Sequence, residues 1–219
     1  MSSRFLVLAV DGGAGTGKST TAHSLSKALN LMHVDTGSHY RAITRALLDL
    51  NLRPRDVEKY LNKNDLPLGT EVIDGRSCLL VNDIRFEQTI LRSPEINDSV
   101  SDFSSQASVR ELLFEYQRSQ VQVARESNFN GLVMEGRDIG TVILPDADLK
   151  IFLEADPTIR VDRRNKDGEK DQISNRDEKD ASRKIAPLVA ANGCIRIDTG
   201  KSGIEEVTQS ILEVIKKLP

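Results

Sequence analysis

Residues 5–29 leave few alternatives for the fold. Residues 5–10 are a continuous apolar run that ends at Asp11, glycines occupy several of the next positions, and apolar residues then recur about one helical turn apart between residues 20 and 29. A short apolar run of this kind is typical of a strand covered on both faces. The later spacing predicts a helix that packs one apolar face on a sheet. The sequence therefore predicts a strand, a glycine-rich loop and a helix in direct succession.

The loop of this unit, residues 12–19, matches the pattern G-x-x-x-x-G-K-[ST] between a predicted strand and a predicted helix. Its glycines allow successive backbone N–H groups to converge on a phosphate, and the helix N-terminus adds positive potential. Lys18 is expected to bridge the β- and γ-phosphates, and Ser19 to present its hydroxyl to Mg²⁺. We therefore predict a site for ATP or GTP with magnesium. Its predicted residues are Gly12, Gly13, Ala14, Gly15, Thr16, Gly17, Lys18, Ser19 and Thr20.

Strand-like and helix-like segments alternate along most of the remaining chain. Further strands are predicted at residues 31–34, 132–134, 149–153 and 194–197. Further helices are predicted at residues 40–50, 109–123 and 204–218. This alternation predicts a three-layer α/β fold with a mostly parallel five-stranded sheet and crossover helices.

Two segments depart from this alternation. Residues 66–92 contain three short alternating pieces separated by Asp74-Gly75 and Asn82-Asp83, which favour tight turns, so we predict a small antiparallel β insertion. Residues 165–184 are poor in apolar side chains and are predicted to be solvated and mobile.

Composition excludes several classes of protein. A chain of 219 residues with 29% charged and 38% hydrophobic residues fits one folded domain rather than a disordered chain. Its formal net charge of -3 disfavours general nucleic-acid binding. The first apolar run is shorter than the core of a signal peptide, and no apolar run is long enough to span a membrane. We therefore expect a cytoplasmic monomer with neither a nucleic-acid nor a membrane partner.

The two cysteines, Cys78 and Cys194, lack the paired spacing of metal ligands. They are predicted to be small buried hydrophobic residues.

Arginines occur in several loops of this acidic chain and bracket residues 165–184. They are Arg41, Arg110, Arg137, Arg160, Arg163, Arg164, Arg176 and Arg183. Guanidinium groups that converge from separate loops suit bidentate phosphate binding and the neutralisation of charge on a transferred phosphoryl group. The set therefore favours an enzyme with two phosphorylated substrates. The alternative for each single arginine is a surface salt bridge.

The phosphate loop and several further blocks, taken together, resemble the bacterial cytidylate kinases. The other blocks are residues 35–41, 136–142, 145–147, 176–183 and 186–188, in the expected order. The resemblance extends from residue 5 to about residue 215. It implies the P-loop NTPase fold and a phosphotransferase that moves the γ-phosphate of ATP to CMP, and to dCMP, in pyrimidine nucleotide metabolism.

The resemblance also implies how a single kinase domain is organised. Residues 1–37 and 130–219 would form the core, and residues 38–129, with the β insertion at about 66–92, would form the monophosphate-binding region. Residues 160–184 would form a lid. Only 11 residues separate Arg164 from Arg176, so this lid is short for the family.

Roles for individual residues follow from the same resemblance. Arg41, Arg137 and Arg183 would hold the acceptor phosphate, and Arg176 and Asp180 the ribose. Thr36 would also bind the acceptor, while Ser101, Arg110 and Asp138 would face cytosine. The catalytic residues would be Lys18, Arg137, Arg164 and Arg183, and the lid arginines Arg160, Arg163 and Arg164.

The chemistry of cytosine agrees with this assignment, because its edge offers an amino donor at N4 and acceptors at N3 and O2. A carboxylate, a guanidinium and a hydroxyl match that edge, whereas uracil would place an oxygen against Asp138. The alternative for Asp138 is a turn cap at the end of a strand.

Glu135 and the pair Ser38-His39 depart from the family pattern. Glu135 replaces the usual aspartate and could orient magnesium-bound water, from a position behind Ser19. Ser38 and His39 replace a small and an apolar residue. His39 is predicted to make a packing or polar contact, because an ionised phosphate acceptor needs no general base.

Three alternative functions remain. The nearest is another small-molecule kinase of the same fold, acting on a different monophosphate or a shikimate-like acceptor. Residues 62–65 match the N-K-x-D pattern of GTPase switches, but they follow a helix-like segment rather than a buried strand. A nucleic-acid-dependent ATPase is disfavoured because the chain has nine Phe and Tyr residues, no Trp and no basic tail.

Overall fold

The computed structural model describes residues 4–166 and 186–218. The strands are β1 Leu6–Gly12, β2 Met32–Asp35, β3 Leu68–Ile73, β4 Arg76–Val81, β5 Ile84–Arg85, β6 Gly131–Gly136, β7 Leu149–Glu154 and β8 Ile195–Asp198. The α-helices are α1 Lys18–Leu29, α2 Thr36–Asp49, α3 Val57–Leu61, α4 Gln88–Leu91, α5 Pro94–Ser104, α6 Ala107–Glu126, α7 Pro157–Lys166 and α8 Ile204–Ile215. A 3₁₀ turn, Pro54–Asp56, and a single π-helical turn, Ile139–Ile143, complete the described elements.

The chain divides into two compact units. The first comprises Met1–His33 and Val121–Pro219, and the second comprises Val34–Gln120. The divisions fall within β2 and within α6.

The first unit is built on parallel strands. β1 pairs in parallel with both β6 and β7, and β7 pairs in parallel with β8. With β2, whose first two residues belong to this unit, the order is β2-β6-β1-β7-β8. The mostly parallel sheet predicted from the sequence is therefore confirmed. Because parallel strands end at the same edge of a sheet, the segments after β1, β6, β7 and β8 emerge together.

The core of the first unit explains why these segments form strands and helices. Leu8 and Val10 of β1, Leu25 of α1 and Ile211 of α8 are fully buried in one hydrophobic cluster. At about 25 cal/mol per Å² of apolar surface, each such side chain contributes about 1.5–3 kcal/mol. The helical spacing after residue 20 thus places one face of α1 in this core.

The second unit contains the predicted β insertion. β3 and β4 pair antiparallel from Leu68 opposite Val81 to Ile73 opposite Arg76, and the short strand β5 pairs antiparallel with β4. All four residues of the Asp74-Gly75 and Asn82-Asp83 turns have positive φ, which is the geometry that tight hairpins require. The turn chemistry read from the sequence is therefore confirmed.

Side chains attach this hairpin to α6. Ser77 Oγ donates to Gln120 Oε1 at 2.6 Å, and Gln120 Nε2 donates to Thr70 Oγ1 at 3.0 Å. Tyr116 of the same helix lies 3.0 Å from the Thr70 hydroxyl. The insertion thus packs on α6 through buried polar contacts, while Ile43, Phe103 and other apolar side chains fill the core of the unit.

Some elements differ from the predictions. α2 begins at Thr36 rather than at residue 40, because the Asp35 side chain caps the helix by accepting from Ser38 N. Helix α5 was not predicted, although Ser93 caps it and Pro94 is its first residue, which is a usual helix start. The expectation that both cysteines are buried is wrong, because both are free and partly exposed. Cys78 lies on the less buried face of β4, and Cys194 follows a turn just before β8.

The predicted mobile segment overlaps residues 167–185, which lie outside the described residues. Within the part of the chain that the structure describes, no helix has the length and apolarity needed to cross a membrane.

His39 is a buried polar residue whose ring packs against an aromatic side chain. Its ring stands edge-on to Tyr116 at 5.2 Å between centroids, and neither ring nitrogen has a hydrogen-bond partner among the described residues. Burial lowers the pKa of His39 to about 4, although the Asp35 carboxylate opposes this effect. The ring is therefore neutral at pH 7 and makes a packing contact, as the sequence suggested.

We predict that His39→Met raises the free energy of unfolding at pH 7 by about 1–3 kcal/mol, because it removes an unsatisfied buried polar group.

The pH dependence of stability should change as well. The folded-state pKa of His39 lies below the unfolded value near 6.5, so the unfolded chain binds more protons than the folded chain as pH falls from about 6.5 to about 4. Wild type should therefore lose up to about 3 kcal/mol over that window, and the variant should not. Urea unfolding at several pH values measures both effects. His23→Gln is the control, and an unchanged pH slope in His39→Met would contradict the prediction.

Candidate active site

The phosphate loop follows β1 directly and leads into α1. Gly15 and Gly17 have φ values of +74° and +84°, a left-handed conformation that favours glycine. A Cβ at Gly15 would lie 2.8 Å from the carbonyl oxygen of Arg160, so this position also lacks room for a side chain. Left-handed residues within such a loop are typical of an anion-binding nest of backbone N–H groups.

Lys18 is held against this loop. It is the first residue of α1, it is buried, and its Nζ donates to the Gly13 carbonyl at 2.7 Å. Thr16 Oγ1 donates to the same carbonyl at 2.9 Å. The ammonium group therefore lies beside the loop, where it adds positive charge to the nest.

Ser19, Glu135 and His33 form a hydrogen-bonded row. Ser19 Oγ donates to Glu135 Oε2 at 2.8 Å, and His33 Nε2 lies 2.8 Å from Glu135 Oε1. Glu135 and His33 are 2% and 4% exposed. His33 was not predicted as a site residue, although a histidine in the otherwise apolar run of β2 was the available signal.

These residues fit a magnesium ion. A hydroxyl and a carboxylate are the oxygen ligands that Mg²⁺ prefers, and the ion usually keeps water and binds substrate phosphates as well. No group of three or more acidic, His or Cys residues arranged for a metal occurs among the described residues. The donor set thus suits an ion shared with a phosphorylated ligand rather than one enclosed by protein.

Asp11, the penultimate residue of β1, links this strand to the segment after β6. Its carboxylate accepts hydrogen bonds from Ile139 N and Gly140 N, both at 2.8 Å, and the residue is 3% exposed. Burial raises the pKa of Asp11 to about 6, while the two backbone hydrogen bonds oppose the rise. Sequence reasoning missed this role. The signal was a carboxylate at the end of an apolar run.

The segment that Asp11 holds is the π-helical turn Ile139–Ile143. Ile143 N donates to Asp138 O at 3.2 Å and Leu144 N to Ile139 O at 2.7 Å, both across five residues. π-helical turns are rare and frequent at functional sites. Asp138 is 4% exposed and its side chain does not cap this turn, so the alternative role as a cap is not observed. Arg137 precedes it and is partly buried.

Two of the predicted lid arginines contact the phosphate loop. Arg160 Nη1 donates to Ala14 O at 3.3 Å, and Arg163 Nη1 donates to Gly15 O at 3.4 Å. Arg164 is partly buried on the same helix, α7. Closure of these arginines over a substrate stays a prediction.

Four predicted acceptor residues belong to the second unit, on three helices. Thr36 is the first residue of α2, Arg41 follows on that helix, Ser101 lies on α5 and Arg110 on α6. The Arg110 guanidinium lies 5.5 Å from the centroid of the Tyr40 ring, and Arg110 Nη1 donates to Ser104 O at 3.4 Å. Arg41 lies close to Gly37 at the start of α2, since a Cβ there would be 3.1 Å from Arg41 Nη1.

Other predicted features fall elsewhere. Arg176, Asp180 and Arg183 lie outside the described residues. The N-K-x-D match at residues 62–65 follows α3 in the second unit, as the sequence suggested.

A sequence model of the cytidylate kinase family matches residues 8–217. The chain belongs to the cytidylate kinase family. Cytidylate kinases of Caldicellulosiruptor bescii and Clostridium botulinum strain Langeland are each 37% identical to it. The alignments cover 96% of this chain, and 96% and 97% of those proteins.

Among the relatives, some are longer than this chain. A bifunctional pantoate ligase/cytidylate kinase of Prochlorococcus marinus strain NATL1A is 38% identical over 97% of this chain, which spans 43% of that protein. The chain therefore spans less than half the length of this relative.

Solved structures show the same fold at low identity. A sugar kinase of Janibacter sp. superposes with a TM-score of 0.51 at 10% identity, covering 97% of this chain and 95% of that one. A protein of Chloroflexus aurantiacus gives 0.50 at 13% identity over all of both chains. These likenesses concern the fold alone.

We predict that Asp11→Ala lowers kcat/KM for the acceptor by about a hundredfold, because a displacement of about 1 Å near the reacting groups has an effect of that size. Asp11→Asn should lose less, since its amide oxygen still accepts from a backbone N–H. Steady-state kinetics, with the melting temperature as a check on folding, measures the effect.

Asp148→Asn is the matched control for this test. Asp148 Oδ2 also accepts from a backbone N–H of β1, that of Val7 at 2.8 Å, but near the amino end of the strand. Equal losses of activity in the Asp11 and Asp148 variants would show that Asp11 acts only on stability.

Proposed function

We propose that this chain transfers the γ-phosphate of ATP to CMP, and also to dCMP, giving ADP and CDP or dCDP. The observation that carries the proposal is the left-handed glycine loop with Lys18 folded against it, in a chain that matches the cytidylate kinase family from residue 8 to residue 217. The loop supports the assignment of a triphosphate site, and membership of the family supports the assignment of CMP as the acceptor.

The donor would bind at residues 12–20. The nest and Lys18 would hold the β- and γ-phosphates. Ser19 would hold Mg²⁺ with Glu135 behind it, and when bound the ion neutralises charge on the phosphates. His33 would keep the Glu135 carboxylate directed at Ser19, because the two side chains are 2.8 Å apart and both are buried.

The acceptor would bind through the residues that the family resemblance assigns to it. Arg41, Arg137 and Arg183 would hold its phosphate, Arg176 and Asp180 its ribose, while Thr36, Ser101, Arg110 and Asp138 would complete the site. A buried carboxylate at Asp138 would accept from the N4 amino group of cytosine. Uracil offers an oxygen at that position, so the carboxylate would lose its hydrogen bond and face a second acceptor.

Catalysis would consist of positioning and charge stabilisation. An ionised oxygen of the acceptor phosphate attacks the γ-phosphorus, and the bond from that phosphorus to the bridging oxygen of ADP breaks. Lys18, Arg137, Arg164 and Arg183 would stabilise the charge on the transferred group. No general base is required, which agrees with a neutral His39 buried against Tyr116.

The proposal is tested by ADP release from ATP and Mg²⁺ across CMP, dCMP, UMP, AMP, GMP, dTMP and shikimate. We expect the largest kcat/KM with CMP and a comparable one with dCMP. Lys18→Met should reduce turnover by about three orders of magnitude or more without a large change in melting temperature, since it removes charge from the transition state. A larger response to AMP, GMP or shikimate would overturn the assignment in favour of another kinase of this fold.

The same assay separates the more distant alternatives. Release of ADP stimulated only by RNA or DNA would indicate a nucleic-acid-dependent ATPase, and GTP binding without acceptor-dependent turnover would indicate a GTPase switch.

We also propose that the protein is a cytoplasmic monomer that has no nucleic-acid partner. Sedimentation in the presence and absence of ATP measures the oligomeric state.

We predict that Asp138→Asn lowers the CMP to UMP ratio of kcat/KM by about 10- to 100-fold, because its amide group can donate to O4 of uracil. Asp138→Ala should lower the ratio through the loss of CMP activity alone. Competition between the two nucleotides in one reaction measures the ratio directly, and Asp146→Asn is the control. A ratio that stays at the wild-type value in Asp138→Asn would exclude contact with the base.

A further inference from the structure

Three consecutive carbonyl groups of the phosphate loop accept hydrogen bonds from side chains outside the loop. The contacts are Arg160 Nη1 to Ala14 O at 3.3 Å, Arg163 Nη1 to Gly15 O at 3.4 Å, and Thr199 Oγ1 to Thr16 O at 3.0 Å. We call Arg160, Arg163 and Thr199 the carbonyl clamp. The preceding carbonyl, that of Gly13, is engaged by donors from within the loop and α1.

The members of the carbonyl clamp are themselves fixed. Arg163 Nη2 donates to Thr199 O at 2.7 Å, and Arg163 Nη1 also lies 3.0 Å from Thr199 Oγ1. Thr199 N donates to Glu154 O at 2.8 Å, which attaches it to the end of β7. Arg160 Nε donates to Ala155 O at 3.0 Å, and Arg160 is only 7% exposed. The clamp is thus part of the framework of the first unit.

The clamp determines where the loop amides point. In a planar trans peptide the C=O of one residue and the N–H of the next point in opposite directions. Carbonyls of residues 14, 15 and 16 directed at the clamp therefore direct the N–H groups of Gly15, Thr16 and Gly17 to the other side of the loop. Those amides are the ones that a phosphate nest needs.

We propose that Arg160, Arg163 and Thr199 are positioning residues that preorganise the amides of residues 15–17 for the phosphates of ATP. This role acts from behind the loop and differs from the closure of a lid over the substrate. It rests on the proposed function only in that the loop binds ATP, and it is independent of the acceptor.

Thr199 gives the sharpest test, because its hydroxyl is neutral and its Oγ1 lies nearer to Thr16 O, at 3.0 Å, than to its other acceptor, Glu154 O, at 3.3 Å. We expect Thr199→Val to weaken the affinity for ATP about fivefold, as for the loss of one neutral hydrogen bond, and Arg163→Gln about tenfold, near the lower end for a hydrogen bond that involves a charged group. Thr199→Ser keeps the hydroxyl and should restore wild-type affinity. The Michaelis constant for CMP should change by less than about twofold, because the clamp contacts the phosphate loop and its role is independent of the acceptor.

The double variant tests whether Arg163 acts through Thr199. If the clamp is one unit, Thr199→Val adds little to Arg163→Gln, and the combined loss stays near tenfold rather than near fiftyfold. Calorimetry with ATP and Mg²⁺ measures these affinities. Losses that multiply would overturn the clamp as a single unit, because they would mean that Arg163 and Thr199 act on the affinity for ATP independently.

Amide hydrogen exchange of the ligand-free protein provides a readout that does not depend on activity. Exchange at residues 15–17 should be faster in Thr199→Val and Arg163→Gln, and unchanged in the core strand β1.

Two control variants remove similar groups from the same unit. Thr208→Val removes a hydroxyl that donates to Ile204 O at 2.8 Å, and Arg196→Gln removes an exposed arginine paired with Glu154.

The outcomes separate this inference from the proposed function. Unchanged loop exchange and unchanged ATP affinity in Thr199→Val would overturn the clamp even if CMP is the acceptor. Absence of ATP binding by wild type would contradict the proposed function, while the exchange measurement would still decide the clamp. Should Arg163→Gln fail to fold, the Thr199→Val and Thr199→Ser pair still decides it.

Discussion

The phosphate loop must present several backbone N–H groups to one anion, and each peptide plane that does so turns a carbonyl the opposite way. Buried carbonyls need hydrogen-bond partners, so a nest inside a protein requires donors behind it. In this chain those donors come from Lys18 and Thr16 within the motif and from Arg160, Arg163 and Thr199 far along the sequence. Much of the first unit can be understood as the support of this backbone. The parallel sheet places the ends of β7 and β8 beside the loop, and α7 and Thr199 continue from those ends.

Asp11, near the end of β1, likewise depends on hydrogen bonds from a distant segment of the chain. Burying a carboxylate is unfavourable, and the raised pKa of Asp11 reports that cost. Two backbone N–H groups of the π-helical turn offset part of it and fix the segment that follows Arg137 and Asp138. A single strand thus leads into the loop proposed to bind the donor, and through Asp11 it supports residues that are proposed to bind the acceptor. The arrangement of both depends on where β1 ends within the sheet.

The sequence predicted those parts that are determined by local periodicity and turn chemistry. The apolar run before Gly12, the helical spacing after Lys18 and the Asp74-Gly75 turn each act over a few residues, and all three appear as expected. His33, Asp11 and Thr199 were missed, because their roles arise from partners 102, 128 and 183 positions away, respectively. The π-helical turn was missed for a related reason, since Asp11, 128 positions away from Ile139, holds its first two backbone N–H groups in addition to the turn's own hydrogen bonds. Cys78 was wrongly expected to be buried because composition alone does not show which face of an edge hairpin meets solvent.

Arginine is the residue type for which the sequence was least decisive. Its planar fork matches two phosphate oxygens, but it matches a carbonyl and a hydroxyl of the same residue equally well, as Arg163 does with Thr199. A guanidinium in such a position satisfies backbone groups and is also cationic, so it supports the loop and adds positive potential beside it. Lysine could not combine the two, because a point donor cannot span both acceptors of Thr199 and reach Gly15 as well. The presence of arginine beside a phosphate motif therefore indicates a need for both charge and rigid geometry, and only the folded structure shows which atoms receive its hydrogen bonds.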